Sequence, residues 1–120
     1  MNECRTNTDT ELQSPKYYKR IVDLFKTLAN PVRLKIVDLL SHGPLCVCNI
    51  EPYFDISQAA ISKHLKTLVM AEILEYKQVG AKNIYKLQEN KILDFLKSAD
   101  NFSENLIQIK LQRYREFDSP

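Results

Sequence analysis

The segment Ser57–Leu87 constrains the fold more than any other part of the chain. Ser57 is a good N-cap, and the residues after it read as a helix to about Met70. Ala60, Ile61, Leu65, Leu68 and Val69 form its apolar stripe. Gln58, Ala59, Ser62, Lys63 and Lys66 fall on the opposite, polar face. The pattern then switches period. Ile73 to Val79 is rich in β-branched and aromatic residues, Gly80-Ala81-Lys82-Asn83 supplies turn chemistry, and Ile84 to Leu87 forms a second short strand. A polar-faced helix running straight into a hairpin with a basic tip leaves few architectures open.

The upstream residues narrow the choice. Met1 to Gln13 lacks apolar periodicity and reads as a flexible N-terminal arm. Ser14-Pro15 and Asn30-Pro31 are each a capping residue followed by proline, a helix-start signal. Tyr18, Ile21, Val22, Phe25 and Leu28 recur at helical spacing after the first. Val32, Ile36, Val37, Leu39 and Leu40 follow the second, which ends at Ser41-His42-Gly43-Pro44. A short third helix is expected from about Val47 to Phe54, with Asp55-Ile56-Ser57 as the turn into the fourth. Beyond the hairpin, Glu89 to Tyr114 returns to helix. Its Ile92, Leu96, Ala99, Phe102, Leu106 and Ile109 continue an apolar stripe past the point where one small core is complete. The order is α-α-α-α-β-β-α, mainly α with a β-hairpin wing: a winged helix-turn-helix. The chain divides into the arm 1–13, a domain 14–115 with dimerisation helices at both ends, and a tail 116–120.

Charge agrees with a DNA-reading role. Of a net charge of only +2, Ser57–Leu87 carries +3, from Lys63, Lys66, Lys77, Lys82 and Lys86 against Glu72 and Glu75. An α-helix fits the major groove, so Gln58, Ala59, Ser62, Lys63 and Lys66 are candidate contacts to base edges and phosphates. His64 either contacts phosphate or sits half-buried. Lys77, Lys82 and Asn83 are expected to track the backbone or minor groove. Binding of this kind is salt-dependent, with a log–log slope of about −0.9 per phosphate contact. An enzyme is not expected. The only bases near a cysteine are His42 and His64, without triad spacing, and two glycines make no phosphate loop. No apolar run approaches a membrane span, so the expected location is cytoplasmic.

There, three cysteines are expected as reduced thiols or metal ligands. Two of them, Cys46 and Cys48, lie one residue apart at the start of the third helix. Thiolates select soft, thiophilic ions. On a regular helix residues i and i+2 point about 200° apart, whereas in an extended segment they share a side. Joint ligation by this pair therefore requires a non-helical or partly unwound helix start.

Three ordered segments resemble the ArsR/SmtB family: Thr27-Leu28-Ala29-Asn30-Pro31-Val32-Arg33-Leu34-Lys35-Ile36, Leu45-Cys46-Val47-Cys48-Asn49-Ile50, and Ser57-Gln58-Ala59-Ala60-Ile61-Ser62-Lys63-His64-Leu65-Lys66-Thr67-Leu68. The resemblance covers about residues 18 to 90. It implies a homodimeric repressor bound to double-stranded operator DNA, released when a metal or metalloid binds. It also implies a dimer built by the first and last helices, with Tyr18, Ile21, Ile92, Leu96, Ala99, Phe102 and Leu106 at the interface. A Cys-Val-Cys at this place resembles the arsenic, antimony, cadmium and lead sensors, which makes Cys46 and Cys48 ligands. Two positions depart from the arsenic-sensing pattern: Asn49 replaces an aspartate, and Glu51 stands where a third cysteine often lies. Cadmium and lead sensors draw further thiolates from the N-terminal arm, so Cys4 is the candidate third ligand. Arsenite and antimonite, which favour three sulfurs, are the expected effectors, with cadmium, lead or zinc as alternatives. For zinc a fourth ligand from His42 or Glu51 is conceivable, while a last-helix zinc site is disfavoured because no histidine follows His64. A thiol redox or persulfide sensor of the same fold is the other alternative.

Overall fold

The computed structural model describes residues 10–118; Cys4 lies outside them. Five helices and three strands follow in the order α1 (Pro15–Leu28), α2 (Pro31–Leu40), β1 (Leu45–Cys46), α3 (Val47–Ile50), α4 (Gln58–Met70), β2 (Leu74–Val79), β3 (Lys82–Leu87) and α5 (Lys91–Asp118). A 3₁₀ turn, Glu51–Tyr53, follows α3. This is the expected winged helix-turn-helix, with one added strand.

The helix starts are built by the caps that the sequence advertises. Ser14 Oγ accepts from the Tyr17 N–H at 3.3 Å. Asn30 Oδ1 accepts from Val32 and Arg33 N–H at 2.9 and 3.2 Å. Ser57 Oγ accepts from the Ala60 N–H at 3.1 Å. Each satisfies donors that a helix start leaves unpaired, which is why these helices begin where they do.

One core joins the central elements. Ile36 and Val37 of α2, Ile50 of α3, Ile61, Leu65 and Leu68 of α4, and Leu74 of β2 are fully buried in it. Leu28 closes it from α1 and Leu87 from β3. Thus α4 is held on its apolar stripe, and its polar face stays in solvent.

Four features differ from the sequence reading. The third helix stops at Ile50 and continues only as a 3₁₀ turn, because Pro52 has no N–H to donate into a continued α-helix. The wing has three strands in the order β1-β3-β2, where a two-stranded hairpin was expected. Its turn is shorter than Gly80–Asn83: Lys82 and Asn83 already pair with Val79 and Gln78. Gly80 takes the left-handed conformation the tight turn needs, φ 63°. Finally, α5 begins at Lys91, two residues later than expected, and runs to Asp118.

At 28 residues α5 is about 42 Å long. Only its first turns meet the core, through Ile92, Leu93 and Leu96. The radius of gyration is 20.2 Å, against about 14 Å for a compact domain of this length, because the rest of α5 projects away from the body.

Candidate nucleic-acid interface and thiol site

Gln58, Ala59, Ser62, Lys63 and Lys66 are all exposed, on one side of a helix anchored by Ile61, Leu65 and Leu68. The turn before α4 is braced from α2. Lys35 Nζ donates to the Tyr53 carbonyl at 3.0 Å and lies 5.2 Å above the Phe54 ring. A rigid, polar helix face of this kind can enter a major groove.

His64 is placed differently from its neighbours. It is half-buried, and its Nδ1 lies 3.2 Å from an Arg33 guanidinium nitrogen of α2. Burial, and then the Arg33 charge, hold its pKa below the ordinary histidine value. The protomer holds His64 half-buried. Arg33 is the partner that sequence reasoning missed: 31 residues separate the two, and no local pattern links them.

In the wing, the pleat separates the expected contacts. Cross-strand partners share a face and neighbours alternate. Lys77 pairs with Ile84 and Lys82 with Val79, so both lysines lie on one face. Asn83, opposite Gln78, belongs to the other face with Tyr76 and Tyr85, which stack at 5.6 Å. Burial, reinforced by Tyr76, raises the Tyr85 pKa. Lys86 is neutralised by a 2.9 Å ion pair with Glu75 across the strands. The basic wing surface is therefore Lys77 and Lys82.

The cysteines sit at the strand–helix boundary. Cys46 is the last residue of β1 and the N-cap of α3, with extended backbone, φ −82° and ψ 165°. Cys48 lies in the first turn of α3. The extended residue cancels the divergence that a regular helix would impose. The two side chains converge without any unwinding, their Cα atoms are 5.3 Å apart, and their sulfurs are bonded as a disulfide. The expectation of reduced thiols is not what this state shows. Cys46 is buried and Cys48 exposed. Asn49 Oδ1 lies 3.0 Å from the Cys46 sulfur, a place where a reduced S–H would find an acceptor.

The site also touches the wing. Cys46 pairs with Ile84, and Ile84 pairs with Lys77 on its other side. Cys46, Ile84 and Lys77 thus form one row across the sheet, on one face. The strand β1 makes this link, and nothing in its two residues announces a strand. His42 lies exposed in the turn before β1, and Glu51 is half-buried in the 3₁₀ turn. Among the described residues no three His, Cys, Asp or Glu side chains converge as a metal site.

The residues expected at a dimer interface divide. Tyr18, Ala99, Phe102 and Leu106 are exposed. Ile21 is half-buried, and Ile92 and Leu96 lie partly buried against the protomer's own core. Phe25 of α1 and Phe95 of α5 are further exposed apolar residues. No described helix is long and apolar enough to cross a membrane.

A solvent-facing polar helix on a buried stripe, followed by a basic three-stranded wing, defines a DNA-binding protein of the winged helix-turn-helix class. Residues 30–76 match the profile of the bacterial regulatory protein arsR family. The chain is 37% identical over 89 residues to an arsenical resistance operon repressor of Staphylococcus xylosus, covering 69% of this chain and 86% of that one. It is 36% identical over 84 residues to the cadmium resistance transcriptional regulatory protein CadC of Listeria innocua, covering 69% and 71%. Among solved structures, it matches that of Rv0081 from M. tuberculosis with a TM-score of 0.73 at 23% identity, covering 82% of this chain and 99% of that one. The homodimeric winged helix-turn-helix domain Mb0332 of Mycobacterium bovis matches with a TM-score of 0.66 at 21% identity, covering 79% and 91%. The chain belongs to the ArsR/SmtB family of transcriptional repressors. It is a DNA-binding regulator rather than an enzyme.

Proposed function

We infer that this chain is a homodimeric repressor of an operator on double-stranded DNA, released when a thiophilic metalloid binds Cys46 and Cys48. Arsenite or antimonite is the effector this reading assigns, and Cys4 of the N-terminal arm is the third sulfur. The convergence of Cys46 and Cys48 at the end of β1 carries the reading. Once reduced, the pair offers two soft donors on one side of the backbone, and soft ions prefer such donors. Several relatives bear names of arsenical resistance repressors, which supports the same class of effector. The apolar residues left open on α1 and α5 support the dimer.

The release route follows from the neighbours of Cys46. An ion drawing Cys46 and Cys48 together with a third sulfur pulls on β1 and on the start of α3. The first leads through Ile84 into the wing; the second leads into the helix-turn-helix. A ligand favouring the low-affinity state by about 1–3 kcal/mol is enough for roughly 5–150-fold release.

The test is operator binding against arsenite under strict reduction. Cys46→Ser and Cys48→Ser each abolish the arsenite response while leaving binding without effector intact, and Cys4→Ser weakens the response. Release as sensitive as wild type in the Cys46 and Cys48 variants would sink the reading. The disulfide favours one second reading, a thiol redox sensor. Hydrogen peroxide would take two electrons from the two thiols, yielding the disulfide and two water molecules. Arsenite acts in reductant if the first reading is right; under the second, only the oxidant acts.

A further inference from the structure

The side chain of Arg33 joins three elements. Its Nε–H donates to the Thr27 carbonyl at 2.6 Å, and a terminal nitrogen donates to the Lys26 carbonyl at 3.2 Å. Both acceptors belong to the last turn of α1, where a helix leaves carbonyls without internal partners. The other terminal nitrogen lies 3.2 Å from His64 Nδ1 on α4. A guanidinium carries five donors, has no acceptor and is always charged. His64 Nδ1 must therefore be the acceptor, with no proton of its own. In a neutral imidazole the proton then resides on Nε2.

We propose that Arg33 is a positioning residue for DNA binding: it fixes His64 as the Nε2–H tautomer, making that nitrogen a neutral hydrogen-bond donor to a DNA phosphate. His64 follows Lys63 on α4 and keeps part of its surface exposed, at the border between the polar face and α2. Because the same guanidinium closes the end of α1, it also ties the recognition helix to the N-terminal helix. Neutral histidine and charged lysines do different jobs here. Lys63 and Lys66 attract the backbone at any register, whereas a fixed N–H is satisfied only in one.

The groups around the ring are few. From α2 it faces Arg33; from α1 the carbonyls of Lys26 and Thr27 lie beyond that guanidinium; along α4 its charged neighbours are Lys63 and Lys66. All the formal charges are positive. Protonating Nδ1 would set an N–H against the guanidinium, in agreement with the lowered pKa. Burial and the Arg33 charge thus favour the neutral ring beyond what a free histidine would show.

Nitrogen-15 NMR of His64 in the intact, DNA-free protein reads the tautomer directly. A single Nε2–H form that stays neutral below pH 6.5 is expected; an Nδ1–H form, or a mixture titrating as in a free peptide, overturns the proposal. Operator titration supplies the second arm. Arg33→Leu and His64→Leu are each expected to weaken binding roughly 5- to 20-fold, the scale of one lost charge-linked hydrogen bond. The double variant is expected to be no weaker than either alone. Losses that multiply mean that Arg33 does not act through His64. His64→Gln, which keeps a donor, recovers part of the affinity, and Arg33→Leu, which removes the charge beside the ring, gives binding that tightens as pH falls from 7.5 to 6. A flat profile in Arg33→Leu also counts against the proposal. Lys63→Gln is the control for DNA reading itself. If it too has no effect, DNA reading by α4 has failed, whatever the NMR shows.

Discussion

Ile61, Leu65 and Leu68 of α4 expose no surface at all, while on α5 Phe102, Ile107 and Tyr114 keep 64, 54 and 70% of theirs. Both helices carry apolar residues at helical spacing, and both begin beside the same core. The difference lies in what surrounds them. α4 is enclosed by α2, α3 and the wing, so its stripe is used up within one protomer. α5 leaves the body after Leu96, and from there its stripe is exposed among the described residues. α1 stands between the two cases: Leu28 reaches the core, but Tyr18, Val22 and Phe25 remain open. A protein rarely leaves so much contiguous apolar surface in water unless it meets a partner. α4 is thus enclosed within one protomer, whereas the two end helices leave apolar surface open, as the proposed dimer requires.

The strongest challenge to this comparison is truncation within the enclosed half. Leu65→Ala is expected to destabilise the protein by about 2–5 kcal/mol, from lost burial and the cavity left behind. Urea denaturation measures it; a loss under about 1 kcal/mol would mean that α4 is less enclosed than its burial indicates. On the open half, Leu106→Glu is expected to act on assembly instead of on the protomer. Placing a charge in a dimer interface raises the dimer dissociation constant by about 100-fold, equivalent to roughly 2.7 kcal/mol. Sedimentation across a concentration series checks this, and an unchanged mass would remove Leu106 from the interface.

A smaller effect sharpens the boundary between α4 and the wing. Glu72 adopts φ 61°, the left-handed conformation usual for glycine after a helix. Its N–H donates to the Val69 carbonyl, and the Ile73 N–H to that of Leu68, both at 3.0 Å. Glu72→Gly is expected to stabilise by about 0.5–1 kcal/mol, the left-handed penalty less the added chain entropy. Loss of the 3.0 Å contact from Gln88 Nε2 to the Glu72 carboxylate offsets part of this gain. A melting temperature that fails to rise means that contact matters more than the backbone.

Legibility in the sequence followed the same division. The starts of α1, α2 and α4 were readable because a cap acts on N–H groups two or three residues away. The exposed face of α4 was readable because burial of Ile61, Leu65 and Leu68 forces Ser62, Lys63 and Lys66 outward. The end of α3 was misjudged although Pro52 stood in plain view, and the two-residue strand before it carried no periodicity to find. The surface left open on α5 was half legible. A stripe marks Ile92 and Leu96 as apolar, but only packing shows that the protomer's own core claims part of them.

What the sequence alone determined, then, was local: where helices begin, which of their faces are apolar, where the backbone turns at Gly80, and that two thiols lie one residue apart. Those follow from contacts within a few residues. Tertiary structure decided the rest. It placed β1 beside β3, so that Cys46 shares a row with Lys77, and it placed Arg33 against His64. It also left α5 beyond Leu96 exposed. Pairings across 31 or more residues depend on how whole elements dock, and no spacing in the chain encodes the partner of a side chain that far away.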